Sequence, residues 1–230
     1  TSNMIVADGV LSVPDYTRSC SCSYANQASV ALIHDPAVEM WTYQRLRNHA
    51  APVKRIGLNF GAPGDRRTDE GMFWLDWPSI GSDSPDLAVT SVPEKPGRFR
   101  GHSSQVQSGE LKWVAASGIE GIQRLTITLA PPAENAGGQA GPPPAERAYT
   151  VRLHFSEPEE RKPGERVFDV ALQGNKVLAA LDIVKAAGGR MRALVREFKG
   201  VRVTDDLTLT FTARAGAPLI CGLEATAERE

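Results

Sequence analysis

The sequence lacks a surplus of either charge: 26 Lys and Arg stand against 27 Asp and Glu, for a formal net charge of -1. A general nucleic-acid binder needs excess cations to displace counterions from phosphates, so the balance argues against nucleic acid as a partner. No apolar run approaches the roughly 20 residues of a membrane-spanning helix, which argues against membrane insertion. Catalytic signatures are missing too. There is no Gly-x-Ser-x-Gly elbow, no His-Glu-x-x-His, no phosphate-binding loop and no dinucleotide Gly-x-Gly-x-x-Gly. The histidines at 34, 49, 102 and 154 are scattered. Nothing points to a cofactor, and no enzyme is expected.

Cysteine is scarce: Cys20, Cys22 and Cys221. Cys20-Ser21-Cys22 is too tight for a zinc knuckle and has no second Cys/His pair nearby. Either two of the three form a disulfide or all are buried. An odd count points to a partner cysteine upstream. The chain also lacks an initiator Met, a signal peptide and a lipidation motif, so it is expected to be a piece of a longer protein. Asp83 and Asp86 are possible calcium ligands, but Asp65 to Gly71 does not follow an EF-hand loop, and no metal site is assigned.

What is present is period-two alternation. Val151, Leu153 and Phe155 point one way, and Thr150, Arg152 and His154 the other, as in a strand with one buried face. Phe168, Val170 and Leu172 repeat the pattern, and Gln173-Gly174-Asn175-Lys176 has the Gly and Asn of a tight turn. Val184 to Gly189 predicts one helical turn stopped by glycine. Further strands are expected at 54–60, 87–92, 98–104, 113–117, 123–129, 199–203, 207–211 and 220–227. Met4-Ile5-Val6-Ala7 and Val10-Leu11 around Asp8-Gly9 form a hairpin signal, with another strand at 28–34. Frequent turn signals and no long amphipathic helix predict an all-β antiparallel sandwich. Its expected extent is 54–230, with a flexible Pro/Gly/Ala loop at 130–148 and an N-terminal connecting segment at 1–53 packing on it.

Asp65 to Pro78, where a glycine-rich strand end leads to an Asp, a Gly, aromatics and another Asp, resembles the first binding-side loop of the malectin family and holds both ingredients of a sugar site. Aromatic rings stack on the C–H faces of sugars, and planar polar groups bond their hydroxyls. Trp74, Trp77, Asp69 and Asp76 are the candidates, with the tryptophans alternatively capping the core. Arg98 and His102, with Arg66 and Arg67, suggest a guanidinium cluster suited to carboxylated or sulfated sugars. A solvated surface of Arg–Asp pairs is the other reading.

Six pieces in order carry a family resemblance: Tyr149, Phe155-Ser156-Glu157, Arg166-Val167-Phe168-Asp169-Val170, Gly174-Asn175, Asp182-Ile183 and Ala187-Gly188. Together with Leu207 to Phe211 and Pro218 to Glu224, they resemble the malectin domain, most strongly over 149–226. The resemblance implies a non-catalytic β-sandwich lectin and adds Glu157 to the candidate carbohydrate-binding residues. Glu157 could instead pair with an arginine, and Asp169 could brace its loop. One departure stands out: the loop 158–165 lacks the adjacent aromatics that stack on sugar in malectin, so any site must lean on Trp74 and Trp77, or on Trp41 and Tyr43. Residues 7–11, 14–18 and 20–24 resemble the segment after a quinoprotein-like β-propeller in bacterial exported proteins. The expected function is a carbohydrate-binding module of an exported multi-domain protein. The alternatives are a structural domain packing on an upstream propeller, or a glycan-active enzyme.

Overall fold

The computed structural model describes residues 5–13, 30–33, 38–42, 52–79, 87–130 and 144–228. Cys20, Cys22, Tyr43, Asp83, Asp86, His34 and His49 lie outside them. So does most of the expected loop 130–148, whose last two residues already belong to a strand.

The chain divides into two compact units, Thr1–Glu39 and Met40–Glu230. The first contains an antiparallel meander of β1 (Ile5–Ala7), β2 (Val10–Val13) and β3 (Val30–Ile33). Asp8 and Gly9 take φ of 49° and 75°. Positive φ at both central residues is the two-residue turn whose twist matches the flanking strands.

In the second unit, β4 (Arg55–Phe60), β5 (Arg66–Arg67), β6 (Phe73–Trp77), β7 (Val89–Val92) and β8 (Gly97–Arg100) come first. A 3-10 turn (Ser103–Gln105), α1 (Lys112–Ala115), β9 (Ser117–Glu120) and β10 (Arg124–Thr128) follow. Then come β11 (Arg147–Phe155), β12 (Val167–Leu172), β13 (Asn175–Asp182), α2 (Ile183–Ala187) and β14 (Leu194–Val203). The last are β15 (Asp206–Ala215), β16 (Leu219–Ile220) and β17 (Gly222–Ala227). They form a five-stranded sheet, β13-β12-β15-β10-β7, and a six-stranded sheet, β14-β11-β17-β4-β6-β5. A small sheet, β16-β9-β8, adds to them. The fold is the all-β sandwich expected.

Alternation builds the core. Val151, Leu153 and Phe155 of β11 share one buried cluster with Phe168, Val170 and Leu172 of β12. Phe168 links the sheets, with Phe155 at 6.1 Å and Phe211 at 6.2 Å between ring centres. The predicted helical turn is α2: the Asp182 side chain accepts from Lys185 N–H at its start, and Gly188 ends it at φ 77°. Cys221 is buried, and its thiol is free. Burial pushes that thiol well above its ordinary pKa, so it stays protonated and unreactive.

Two expectations are corrected. Phe73–Trp77 is a strand rather than part of a loop, because parallel pairing with β4 places it inside the six-stranded sheet. Lys112–Ala115 is a helical turn rather than a strand. The strand expected there starts instead at Ser117.

Candidate binding groove

The outer face of the six-stranded sheet has two glycines where neighbouring strands carry side chains. A Cβ on Gly57 would stand 2.2 Å from Trp74 Cδ2, and one on Gly222 would stand 2.4 Å from Val114 Cγ1. The glycines therefore leave a trough in the sheet, and the Trp74 indole fills it. α1 closes over that indole: Met72, Trp74 and Val114 form a satellite core, with Leu111 and Trp113 packed against it. Asn59 fastens the turn by donating from Nδ2 to Trp113 O at 3.4 Å and accepting from Ser117 Oγ–H at 3.2 Å.

Trp74 is therefore 0% exposed, its ring edge-on to Trp113 at 5.5 Å and to His154 at 5.3 Å. His154 is buried beneath this layer. Burial, aided by the positive charge of Arg152, pushes its pKa down to about 4. Neither Trp74 Nε1 nor His154 Nε2 has a hydrogen-bond partner among the described residues.

Above this layer lies a groove of about 650 Å³. Trp74 and Trp113 stand at its aromatic side, with Arg66 and Arg67. The Arg66 guanidinium lies 5.0 Å from the Trp113 ring centre and 5.6 Å from that of Trp41. The two indoles meet edge to face at 6.1 Å. Arg67 sits over Phe73 at 5.2 Å. Such contacts are worth about 0.5–2 kcal/mol, more as water is excluded.

Asp69 and Glu70, from the β5–β6 loop, and Glu110, before α1, supply carboxylates. The Glu70 carboxyl is held below its usual range by a backbone N–H and the Thr68 hydroxyl, with Arg55 nearby.

A single cross-strand row underlies the groove. Glu197, Arg152, Glu224, Gly57, Trp74 and Arg66 are successive partners across all six strands. Arg152 bonds Glu197 at 2.6 Å and reaches Glu224 at 3.5 Å, so its charge is already answered.

The groove gathers Trp74, Arg67 and Asp69 of the expected site residues; the others lie elsewhere. Trp74 is a covered floor, not a stacking platform. Trp77 points to the other face of β6 and packs in the core, edge-on to Phe60 at 5.9 Å. Asp76 is buried, and its backbone N–H donates to Asp65 Oδ1 at 2.9 Å. Arg98 is exposed on β8, away from the groove. His102 caps the 3-10 turn, accepting from Ser104 N–H at 3.2 Å. Glu157 is fully buried and ion-paired to Arg166 at 2.7 Å. Its role is structural, because the pair leaves no carboxylate oxygen facing solvent.

Asp169 likewise braces its hairpin. It takes a two-point contact from Arg214 at 2.7 and 2.9 Å, Lys176 at 2.7 Å and Ala180 N–H at 2.7 Å. The Arg214 bonds foremost hold its carboxyl well below the usual carboxylate range. No cluster of three or more metal-ligating side chains occurs among the described residues. None of their helices is long and apolar enough to cross a membrane.

Trp113 was hidden by its reading as a strand residue. Arg55, Arg152 and Glu224 were hidden because they meet only when the strand order is known. A usable signal existed: glycine at an outward position of a strand, as at Gly57, marks the close approach of something bulky.

Residues 138–221 match the Malectin domain model. That match runs through most of the stretch expected to resemble malectin, from β11 to β16. Of the groove residues, it includes only Arg152. Receptor-like protein 4 of Arabidopsis thaliana is 37% identical over 76 residues. These residues are 32% of this chain and 12% of that protein, so the chain matches only a small part of this curated relative. Among solved structures, the Bacteroides uniformis β-glucuronidase aligns with a TM-score of 0.57 at 15% identity, over 76% of this chain and 18% of that one. The ANX2 ectodomain of Arabidopsis thaliana aligns at 0.50 and 14%, over 76% of this chain and 50% of that one. At such identities the two structures share a fold with this chain, and nothing about activity follows.

Proposed function

We propose that this protein binds glycans, without catalysis, in the groove between α1, the β5–β6 loop and the outer face of the six-stranded sheet. The observation that carries this reading is the groove's chemistry. Arginines and carboxylates face one another beside half-buried indoles, an arrangement suited to hydroxyl-rich ligands. The Malectin match supports it from the fold side. In the same reading the chain belongs to an exported multi-domain protein, with its N-terminal residues leading from a β-propeller, as their sequence resemblance suggests.

Affinity electrophoresis against neutral and acidic polysaccharides tests the binding. The variant to compare is Trp113→Ala, because Trp74 and Trp77 are packed in the fold. Retardation lost in the variant supports the groove. A second reading, a domain that packs on another protein surface and binds no sugar, is favoured by the burial of Trp74 and the core packing of Trp77. Folded protein that no polysaccharide retards would overturn the first and leave this reading the leading one.

A further inference from the structure

Four arginines on strands line the groove, Arg55, Arg66, Arg67 and Arg152, and Arg66 differs from Arg152 in what answers its charge. Arg152 has two carboxylates within 3.5 Å. Arg66 is half-buried, and among the described residues its partners are rings alone, Trp113 and Trp41. A ring face attracts a guanidinium but neutralises no charge and accepts N–H bonds only weakly. Among the described residues, five donors in a planar fork are thus held at the groove without a full acceptor.

The same contact limits what Trp113 can do. With Arg66 over its ring, Trp113 cannot offer that face to the C–H surface of a sugar. The group that meets the ligand is the guanidinium, and the indoles orient it.

We infer that the groove selects a carboxylated sugar, a uronic acid, whose planar carboxylate pairs with the Arg66 guanidinium held by Trp113 and Trp41. This rests on the glycan-binding reading above. The fork of a guanidinium matches a carboxylate in two parallel bonds. The surrounding charges set the rest of the specificity. Asp69, Glu70 and Glu110 rim the groove. They repel a densely charged polyanion and accept hydrogen bonds from hydroxyls. The ligand is therefore one carboxylate among hydroxyls, as a uronic-acid unit presents. A sulfate ester shares the oxyanion chemistry, and the test separates the two.

Affinity electrophoresis would use alginate, glucuronoxylan and hyaluronate, each beside its carboxyl-reduced neutral form, and dextran sulfate as a carboxylate-free polyanion. The proteins would be wild type, Arg66→Gln and Arg66→Lys, each confirmed folded by near-ultraviolet circular dichroism. The expected result is at least tenfold tighter binding of one native polymer than of its reduced form. Arg66→Gln should abolish that difference, and Arg66→Lys, which keeps the charge but loses the fork, should retain part of it. Should Arg66→Gln not fold, Arg66→Lys alone decides, through the lowered ratio of native to reduced binding. Equal binding of native and reduced polymers, or a preference untouched at Arg66, would overturn uronate selection and leave glycan binding standing. Retardation by dextran sulfate alone would overturn it in favour of sulfate. No retardation by any polymer would remove the glycan-binding reading and this inference together.

Discussion

At the scale of single residues, the groove depends on side chains that are absent. Gly57 lets the Trp74 indole lie against the sheet, and a methyl group there would overlap the ring by more than small shifts can relieve. Gly57→Ala should destabilise the protein by about 1–3 kcal/mol, the usual cost of overpacking, in urea unfolding followed by tryptophan fluorescence. His154, in the same layer, makes a pH prediction. Its pKa is about 4 when folded, against an ordinary value of 6.5. The unfolded chain therefore binds the proton more tightly. The stability contributed by neutral His154 is complete above pH 6.5 and is lost as pH falls towards 4. Linkage sets the loss on the order of 3 kcal/mol. Denaturation midpoints at pH 7 and pH 4.5 would check this, and His154→Leu should flatten that part of the profile. The residues also show where sequence reading stops. Trp74 and Trp77 are three apart in a strand, so they cannot share a face. Once Phe73–Trp77 is a strand, a site that leans on both Trp74 and Trp77 fails on parity alone. It survived in the sequence because Pro78 and the flanking glycines resemble loop punctuation.

At the scale of elements, two buried carboxylates brace connections: Glu157, expected as a binding residue, ties the two sheets, and Asp169 ties the β12–β13 hairpin. Glu157 ties the end of β11 to Arg166 before β12, and Arg166 also bonds the Ala217 carbonyl and approaches Glu120 at 3.3 Å. Glu157→Gln leaves a buried guanidinium short of its main counter-charge. It should lower stability by about 3 kcal/mol, at the low end for a broken buried pair because Glu120 compensates in part. Equilibrium unfolding in urea measures it. Asp169 joins Arg214 of β15, Lys176 and Ala180 of β13. Asp169→Asn should speed amide exchange at Ala180 while leaving the β11–β17 ladder protected. Alternation identified β10, β11 and β12, because each sets one face in the common core. The α1 turn could not be read that way. Its Val114 and Ala115 are buried in succession, on the satellite and neighbouring clusters, and such a run has no strand period.

At the scale of the whole molecule, the groove is assembled from distant parts of the chain. Arg66, Glu110, Arg152 and Glu224 meet because β5, β11 and β17 share one sheet with β4 and β6. Strand order is not written in any local pattern, which is why the sandwich was legible and the groove was not. All described groove residues lie within Met40–Glu230. A chain of residues 40–230 should therefore fold and bind glycan with the affinity of the full sequence, within about twofold by calorimetry. The chain has four tryptophans, and each gives one indole N–H signal in a nitrogen-edited NMR spectrum. Titration with pooled neutral and uronic-acid tetrasaccharides tests glycan binding in the groove most directly. The expected result is saturable movement of the Trp113 and Trp41 signals, with Trp77 unmoved in the core. Saturable movement of Trp77 with Trp113 and Trp41 still, or no movement of any of the four, would contradict it.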